Sequence, residues 1–269
     1  MMTRTVAPTT GRWTRWRLLA TLGAAATTAL ALLAGLVLAV GYALSPATAQ
    51  QVAAIPGSPT APVQGEAYRD QVAAAPMLTV PADAASTPEI ATVVGPAMTV
   101  PAATTVGPAG VASGFPHTPE GAIAQLAAIE VTVVDAMSIP VTHQVYDAWA
   151  MPGGVGAANW ELTGHVSSFL TAAGGSGNAK DGSVLVSATP VAAQIKGSDG
   201  PDWVLGCVLL DVHATIVTDA RIGYGHCERL QWTKDRWVIG PGAPPAVAPS
   251  TWPGSDLSIR AGWRTWTSG

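Results

Sequence analysis

The sequence predicts an α+β domain of helices packed on a curved antiparallel sheet, preceded by a transmembrane helix and a disordered linker. Three features carry that expectation. A long uncharged apolar run follows four arginines, a proline-rich stretch almost without aromatics comes next, and the last 155 residues change from helical to strand-like periodicity. The expected boundaries are 1–17 for a basic cytoplasmic tail, 18–44 for the transmembrane helix, 45–114 for the linker and 115–269 for the folded domain.

Arg4, Arg12, Arg15 and Arg17 precede the uncharged run from Leu18 to Leu44. As a helix this run would reach about 40 Å, against a hydrocarbon core of roughly 30 Å. The next basic residue is Arg69, so the charge asymmetry places the N-terminus inside and the rest of the chain outside. Trp13 and Trp16 would lie at the inner interface, where indoles are favoured. The alternative is a cleaved signal peptide, because Ala47-Thr48-Ala49 has the small-x-small form of a cleavage site. Against cleavage, the apolar run is about twice the usual ~7–15 residues of a signal peptide. Both alternatives export the C-terminal part; only the first leaves it anchored in the cell membrane.

Ten prolines punctuate the stretch from Ser45 to Gly114, and Tyr68 is its only aromatic. Proline removes backbone donors and fixes φ, so the expectation is an extended or disordered spacer reaching at most roughly 200 Å. The short echoes Met77–Pro81 and Met98–Pro101 read as low-complexity drift, not as a repeat.

In the domain, Thr118-Pro119-Glu120 reads as a helix start: an N-cap, a first-turn proline and an acid at the positive dipole end. Ile123, Leu126, Ala127, Ile129, Val133 and Met137 place apolar groups on its face before Pro140. Further helices are expected over 141–151 and 160–173. Strands follow over 183–196, 203–218, 221–232 and 237–239, and a terminal helix over 255–266. Eight of the ten tryptophans lie at Trp149 or beyond, which locates the core.

Cys207 and Cys227 are the only cysteines, and export would let them pair. A hairpin centred on Val217 sets them opposite each other. One centred between Asp219 and Ala220, the more natural turn, sends them to opposite faces as two separate buried thiols and pairs His213 with His226 and Asp211 with Glu228. A bulge at Gly223 or Gly225 would shift the register by one. In the second register Asp211, His213, His226 and Glu228 supply ligand types for a divalent metal or for acid–base work, but alternation alone puts polar residues on a solvated outer face, and that is the preferred reading. Trp252, Trp263 and Trp266 form a possible partner-binding patch, with core packing as the alternative.

No nucleotide-binding glycine pattern, GxSxG elbow or HExxH motif occurs. No catalytic residue or cofactor is therefore expected. From Pro116 to Gly269 eight Lys/Arg face thirteen Asp/Glu, a net of −5, which disfavours direct nucleic-acid binding.

Helices followed by an antiparallel meander resemble the cone-shaped fold of the nuclear-transport-factor-like superfamily. With one span and a linker, the order resembles scaffold subunits of type IV secretion and TcpC-type conjugation proteins. The segments Gly114-Phe115-Pro116-His117-Thr118-Pro119-Glu120-Gly121-Ala122 and Arg221-Ile222-Gly223-Tyr224-Gly225-His226-Cys227-Glu228 are similar to uncharacterised membrane proteins from integrative and plasmid elements of high-GC Gram-positive bacteria. That resemblance covers the last 155 residues or so. It implies a non-enzymatic, membrane-anchored assembly component whose partners are other protein subunits. An exported tethered enzyme, a ligand-binding domain or a secreted wall-associated protein stand as alternatives.

Overall fold

The computed structural model describes residues 64–174, 177–216 and 218–269. The expected basic tail, transmembrane run and cleavage site, and the linker up to residue 63, lie outside the described residues. Among the described residues no helix is long and apolar enough to cross a membrane.

A six-stranded sheet has the order β1-β8-β4-β5-β6-β7. Its long central strands are β4 (Leu185–Ser198), β5 (Trp203–Thr215) and β6 (Asp219–Thr233), with β7 (Arg236–Ile239) closing one edge. These four are joined antiparallel in sequence order. On the other side, β8 (Arg264–Ser268) pairs antiparallel with β4, and β1 (Ala97–Val100) pairs parallel with β8. A two-stranded ribbon of β2 (Thr105–Val106) and β3 (Ala112–Ser113) lies between β1 and the helices in sequence.

Three helices cover one face: α2 (Pro119–Ala136), α3 (Ile139–Trp149) and α4 (Glu161–Ala172), preceded in the chain by α1 (Glu66–Ala74). Helix α2 starts where its cap predicts, with the Thr118 hydroxyl accepting from Gly121 N–H at 3.1 Å. It ends at Met137, which adopts φ 39°. Its apolar face presses on β4 and β5 so closely that a Cβ at Gly206 would lie 2.7 Å from Ile123. The resulting core includes Leu126, Ile129, Val133, Val208, Leu210 and Leu230, all fully or nearly fully buried.

The opposite face carries a second, smaller core of Cys207, Leu209, Cys227, Ala248, Ala261 and Trp263. Glycines make this layer possible. A Cβ at Gly223 would stand 1.9 Å from Thr251 O, so the segment after β7 crosses the sheet where β6 has no side chain.

Two expectations are corrected. Much of the stretch assigned to a linker is part of the domain: Met98, Val100 and Val111 are buried in the main core and Ala73 under the sheet's other face. Trp149 of α3 fixes this segment by donating its indole N–H to Pro108 O at 3.1 Å while its ring abuts Gly107. The contacting elements are only two to nine residues long, and proline is tolerated at edges and turns, so no periodicity marked them. The terminal helix is also shorter than expected, since α5 (Asp256–Arg260) gives way to β8. Trp263 and Trp266 thereby flank or enter a strand instead of a helix.

Met98→Ala is expected to lower the unfolding free energy by about 2–5 kcal/mol in a denaturant titration, as for a buried large-to-small change. A change inside experimental error would return residues 64–114 to the role of a spacer.

Candidate functional site

Thr215 pairs with Asp219, the register in which the hairpin is centred on Val217. No shift interrupts the β5–β6 pairing, so Gly223 and Gly225 act by admitting the crossing segment and not as bulges. Cys207 and Cys227 face each other with Cα atoms 4.0 Å apart and are joined by a disulfide. Met77 sulfur packs 3.6 Å from Cys227 Sγ.

The same register separates the four residues considered as a metal or acid–base cluster. Asp211 and His213 share the disulfide's face, whereas His226 and Glu228 point under the helices, because side chains alternate along both strands. Asp211 holds Arg221 through two hydrogen bonds of 2.8 and 2.7 Å, and His213 Nε2 lies 3.4 Å from the same carboxylate. Partial burial works against ionised Asp211, but the hydrogen bond and charge of Arg221 outweigh it and hold its pKa below the ordinary value. Among the described residues no group of three His, Cys, Asp or Glu side chains is placed to hold a metal ion.

The three tryptophans are likewise divided. Trp263 is core, 2% exposed, with its indole N–H donating to Pro249 O at 3.0 Å. Trp252 lies half-buried beneath the Arg221 guanidinium at 4.6 Å. Trp266 is half-buried against the main core, on the opposite side of the sheet layer from the Trp263 cluster. They do not make one contiguous surface patch.

What the fold assembles instead is a charge cluster between α2, α4 and β6. His226 Nδ1 and Glu130 Oε1 are hydrogen-bonded at 2.9 Å, and both side chains are at most 1% exposed. His226 Nε2 faces Glu161 Oε2 and Glu228 Oε1, each at 3.7 Å. Glu228 accepts from the Trp160 indole N–H at 2.6 Å. Beside these, His165 Nδ1 and the Tyr224 hydroxyl share a hydrogen bond of 2.7 Å.

Burial opposes charge on His226, yet the hydrogen bond to Glu130 and the fields of Glu130, Glu228 and Glu161 prevail and raise its pKa to about 9. Burial raises Glu130 to about 7 against the pull of His226, and it raises Glu228 as well. His226 is held above Glu130, so between about pH 7 and about 9 the proton sits on His226 and the pair is ionic. With three carboxyl groups facing a single imidazole, the geometry favours the proton on His226 at neutral pH. Burial lowers the pKa of His165, more strongly than Glu161 raises it, and pushes the Tyr224 phenol well above its ordinary value.

A cleft of about 490 Å³ opens next to this cluster, between α2, α4 and the end of the β5–β6 hairpin. Val134, Met137, Leu162, Phe169, Val212 and Ile222 form apolar walls, and Glu161, His165 and Tyr224 supply polar groups. The arrangement can hold an apolar body and present hydrogen-bonding groups to one end of it.

Of this site only His226 and Glu228 were among the residues singled out from sequence. Glu130 carried a readable signal: it is four residues from Leu126 and three from Val133, a charge in the middle of the apolar stripe. Glu161 and Tyr224 carried none, since their convergence depends on how α4 crosses the sheet.

Searches of family models, curated proteins and solved structures find no match to the chain. Fold and site together define an α+β domain with helices on one face of a curled, mostly antiparallel sheet, stapled by one disulfide and enclosing a histidine–carboxylate cluster.

The cluster sets a pH dependence. His226 keeps its proton to about pH 9 when folded, whereas an unfolded histidine releases it near pH 6.5. Its contribution to stability is therefore complete below about pH 6.5 and is lost as pH rises through about 9. The raised Glu130 value acts in the same direction from the ordinary carboxylate range to about 7. Denaturant midpoints measured from pH 5 to 9.5 should fall with rising pH, and His226→Gln should flatten the upper part of the curve. An unchanged slope in that variant would show that His226 is neutral in the fold.

Proposed function

We propose that the chain is a membrane-tethered, extracytoplasmic assembly component without catalytic activity, of the type used in conjugative or type IV secretion-like transfer complexes. The observation that supports it is the Cys207–Cys227 disulfide, buried at the centre of the sheet. Disulfides persist in oxidising compartments, which agrees with an exported domain. The arginine-flanked apolar run agrees with a single span and an inside N-terminus. The partners in this reading are other protein subunits and the membrane, with no direct contact to nucleic acid. The resemblance to uncharacterised membrane proteins of mobile elements supplies the conjugative context.

A second reading, a tethered ligand-binding domain, is favoured by a different observation: the apolar cleft beside Glu161, His165 and Tyr224. The two are compatible, because a bound ligand can regulate assembly.

Mass spectrometry of natively expressed protein from washed membranes, without reducing agent, tests the tether. The expected species has an intact N-terminus and two hydrogens fewer than the reduced chain. A product starting near Gln50 in the medium would remove the tether, and free thiols would remove the argument for export. Crosslinking in intact membranes at native expression should then capture discrete protein partners; capture of none would leave only the ligand-binding reading. The Cys207→Ser/Cys227→Ser chain should lose about 2–4 kcal/mol of stability in denaturant titrations, the usual range for a closed loop of this kind.

A further inference from the structure

We propose that the cleft between α2, α4 and the β5–β6 hairpin binds an apolar organic cation: a hydrophobic body ending in a protonated amine that pairs with Glu161. The proposal rests on the ligand-binding reading and adds the chemical class.

Size and lining give the hydrophobic part. A volume of about 490 Å³ lies inside the ~300–1,000 Å³ range of small-molecule sites. The walls are aliphatic, with Phe169 and Tyr224 as aromatic surfaces. Val134, Leu162, Val166 and Val212 belong to the main core, so this wall is rigidly backed. Exposed Ile222 stands at the hairpin side and leaves the cleft open there.

Charge gives the amine. Among the described residues lining the cleft, Glu161 is the only carboxylate and there is no Lys or Arg. Its nearest titratable neighbours are His165 Nε2, 3.9 Å from Oε1, and His226 Nε2, 3.7 Å from Oε2. Both are beyond hydrogen-bond reach. Oε2 therefore turns toward the buried cluster while Oε1 is left on the His165 side. Behind Glu161 stand Glu228 and Glu130, so three carboxyl groups surround one imidazole.

An anionic ligand would meet the Glu161 carboxylate in a partly desolvated place, which is unfavourable. A neutral ligand would gain the apolar walls and leave Glu161 as it is. An ammonium group would give Glu161 a charge-assisted partner and lie near the aromatic face of Tyr224. Arg221, the nearest arginine in sequence to this strand region, is held by Asp211 on the opposite face of the sheet and does not compete. The Tyr224–His165 hydrogen bond positions the polar rim without adding a cation, as burial keeps His165 neutral.

The test uses the full-length chain in phosphatidylcholine nanodiscs, with empty discs subtracted, and three probes of one shape: 4-phenylbutylamine, 4-phenylbutanol and 4-phenylbutyrate. Calorimetry should rank the amine first, by roughly ten-fold over the alcohol, the size expected of one charge-assisted hydrogen bond. The carboxylate should bind weakest. Glu161→Gln should remove the preference for the amine and leave the alcohol's affinity unchanged, which also reports that the variant is folded. Ile222→Trp, filling the cleft at its open side, should weaken all three. Equal binding of amine and alcohol, or a preference that survives Glu161→Gln, would overturn the cationic class while leaving the cleft a ligand site. No binding of any probe would overturn both the class and the ligand-binding reading.

Discussion

The pairing of Cys207 with Cys227 is the constraint on which the rest of this domain depends. Side chains alternate along β5 and β6, so one fixed pair decides the face of every other residue on both strands. In this register Tyr224, His226 and Glu228 lie beneath the helices, and Asp211, His213 and Arg221 lie on the far side. A shift of β6 by one residue would turn Arg221 toward the helices and away from Asp211, and would carry His226 and Glu228 to the far face, leaving Glu130 without a histidine. The disulfide links two central, buried strand positions and excludes that slip covalently.

The second organising element is the charge held under the helical layer. Placing ionisable groups there opposes stability unless each finds a partner. Glu130 has His226, Glu228 has the Trp160 indole, and the remaining nitrogen of His226 faces two carboxylates at longer range. Four residues from α2, α4 and β6 and one from the turn before α4 are thereby tied to one another. The cluster also aligns α4 over the sheet, and the space left between that helix and the hairpin is the cleft. Packing and polarity in this region are thus one arrangement: the groups that position α4 also give the cleft its acidic end.

The two ends of the described chain meet at the sheet. β8 covers the edge of β4, β1 pairs parallel with β8 as the outermost strand, and Met98 and Val100 enter the core from it. On the other face, Arg69 of α1 bonds Asp199 at 2.5 Å and stacks near Trp203, while Arg229 reaches Asp70 at 2.8 Å. A proline-rich segment is suited to this wrapping role. It needs few hydrogen-bond partners and can follow a curved surface without forming regular structure.

The sequence by itself determined the elements whose signals are local. The Thr118 cap, the stripe from Ile123 to Met137, the proline and glycine boundaries of α3 and α4, the alternation in β4 and the turn-bounded runs of β5 to β7 each depend on neighbours within a few residues. The α+β class follows from their order. What only the tertiary structure decided depends on distance across the fold. The hairpin had two reasonable centres, and the choice between them rests on long-range packing of both sheet faces, which no local window contains. That choice dissolved the Asp211, His213, His226 and Glu228 group and put Glu130 and Glu161 beside His226 instead. The inclusion of Met98, Val100 and Val111 in the core was hidden for the same reason: single residues in very short elements acquire meaning only when a distant strand or Trp149 covers them. Burial is a property of the assembled surface, and periodicity reports it only where one element is long enough to show a face.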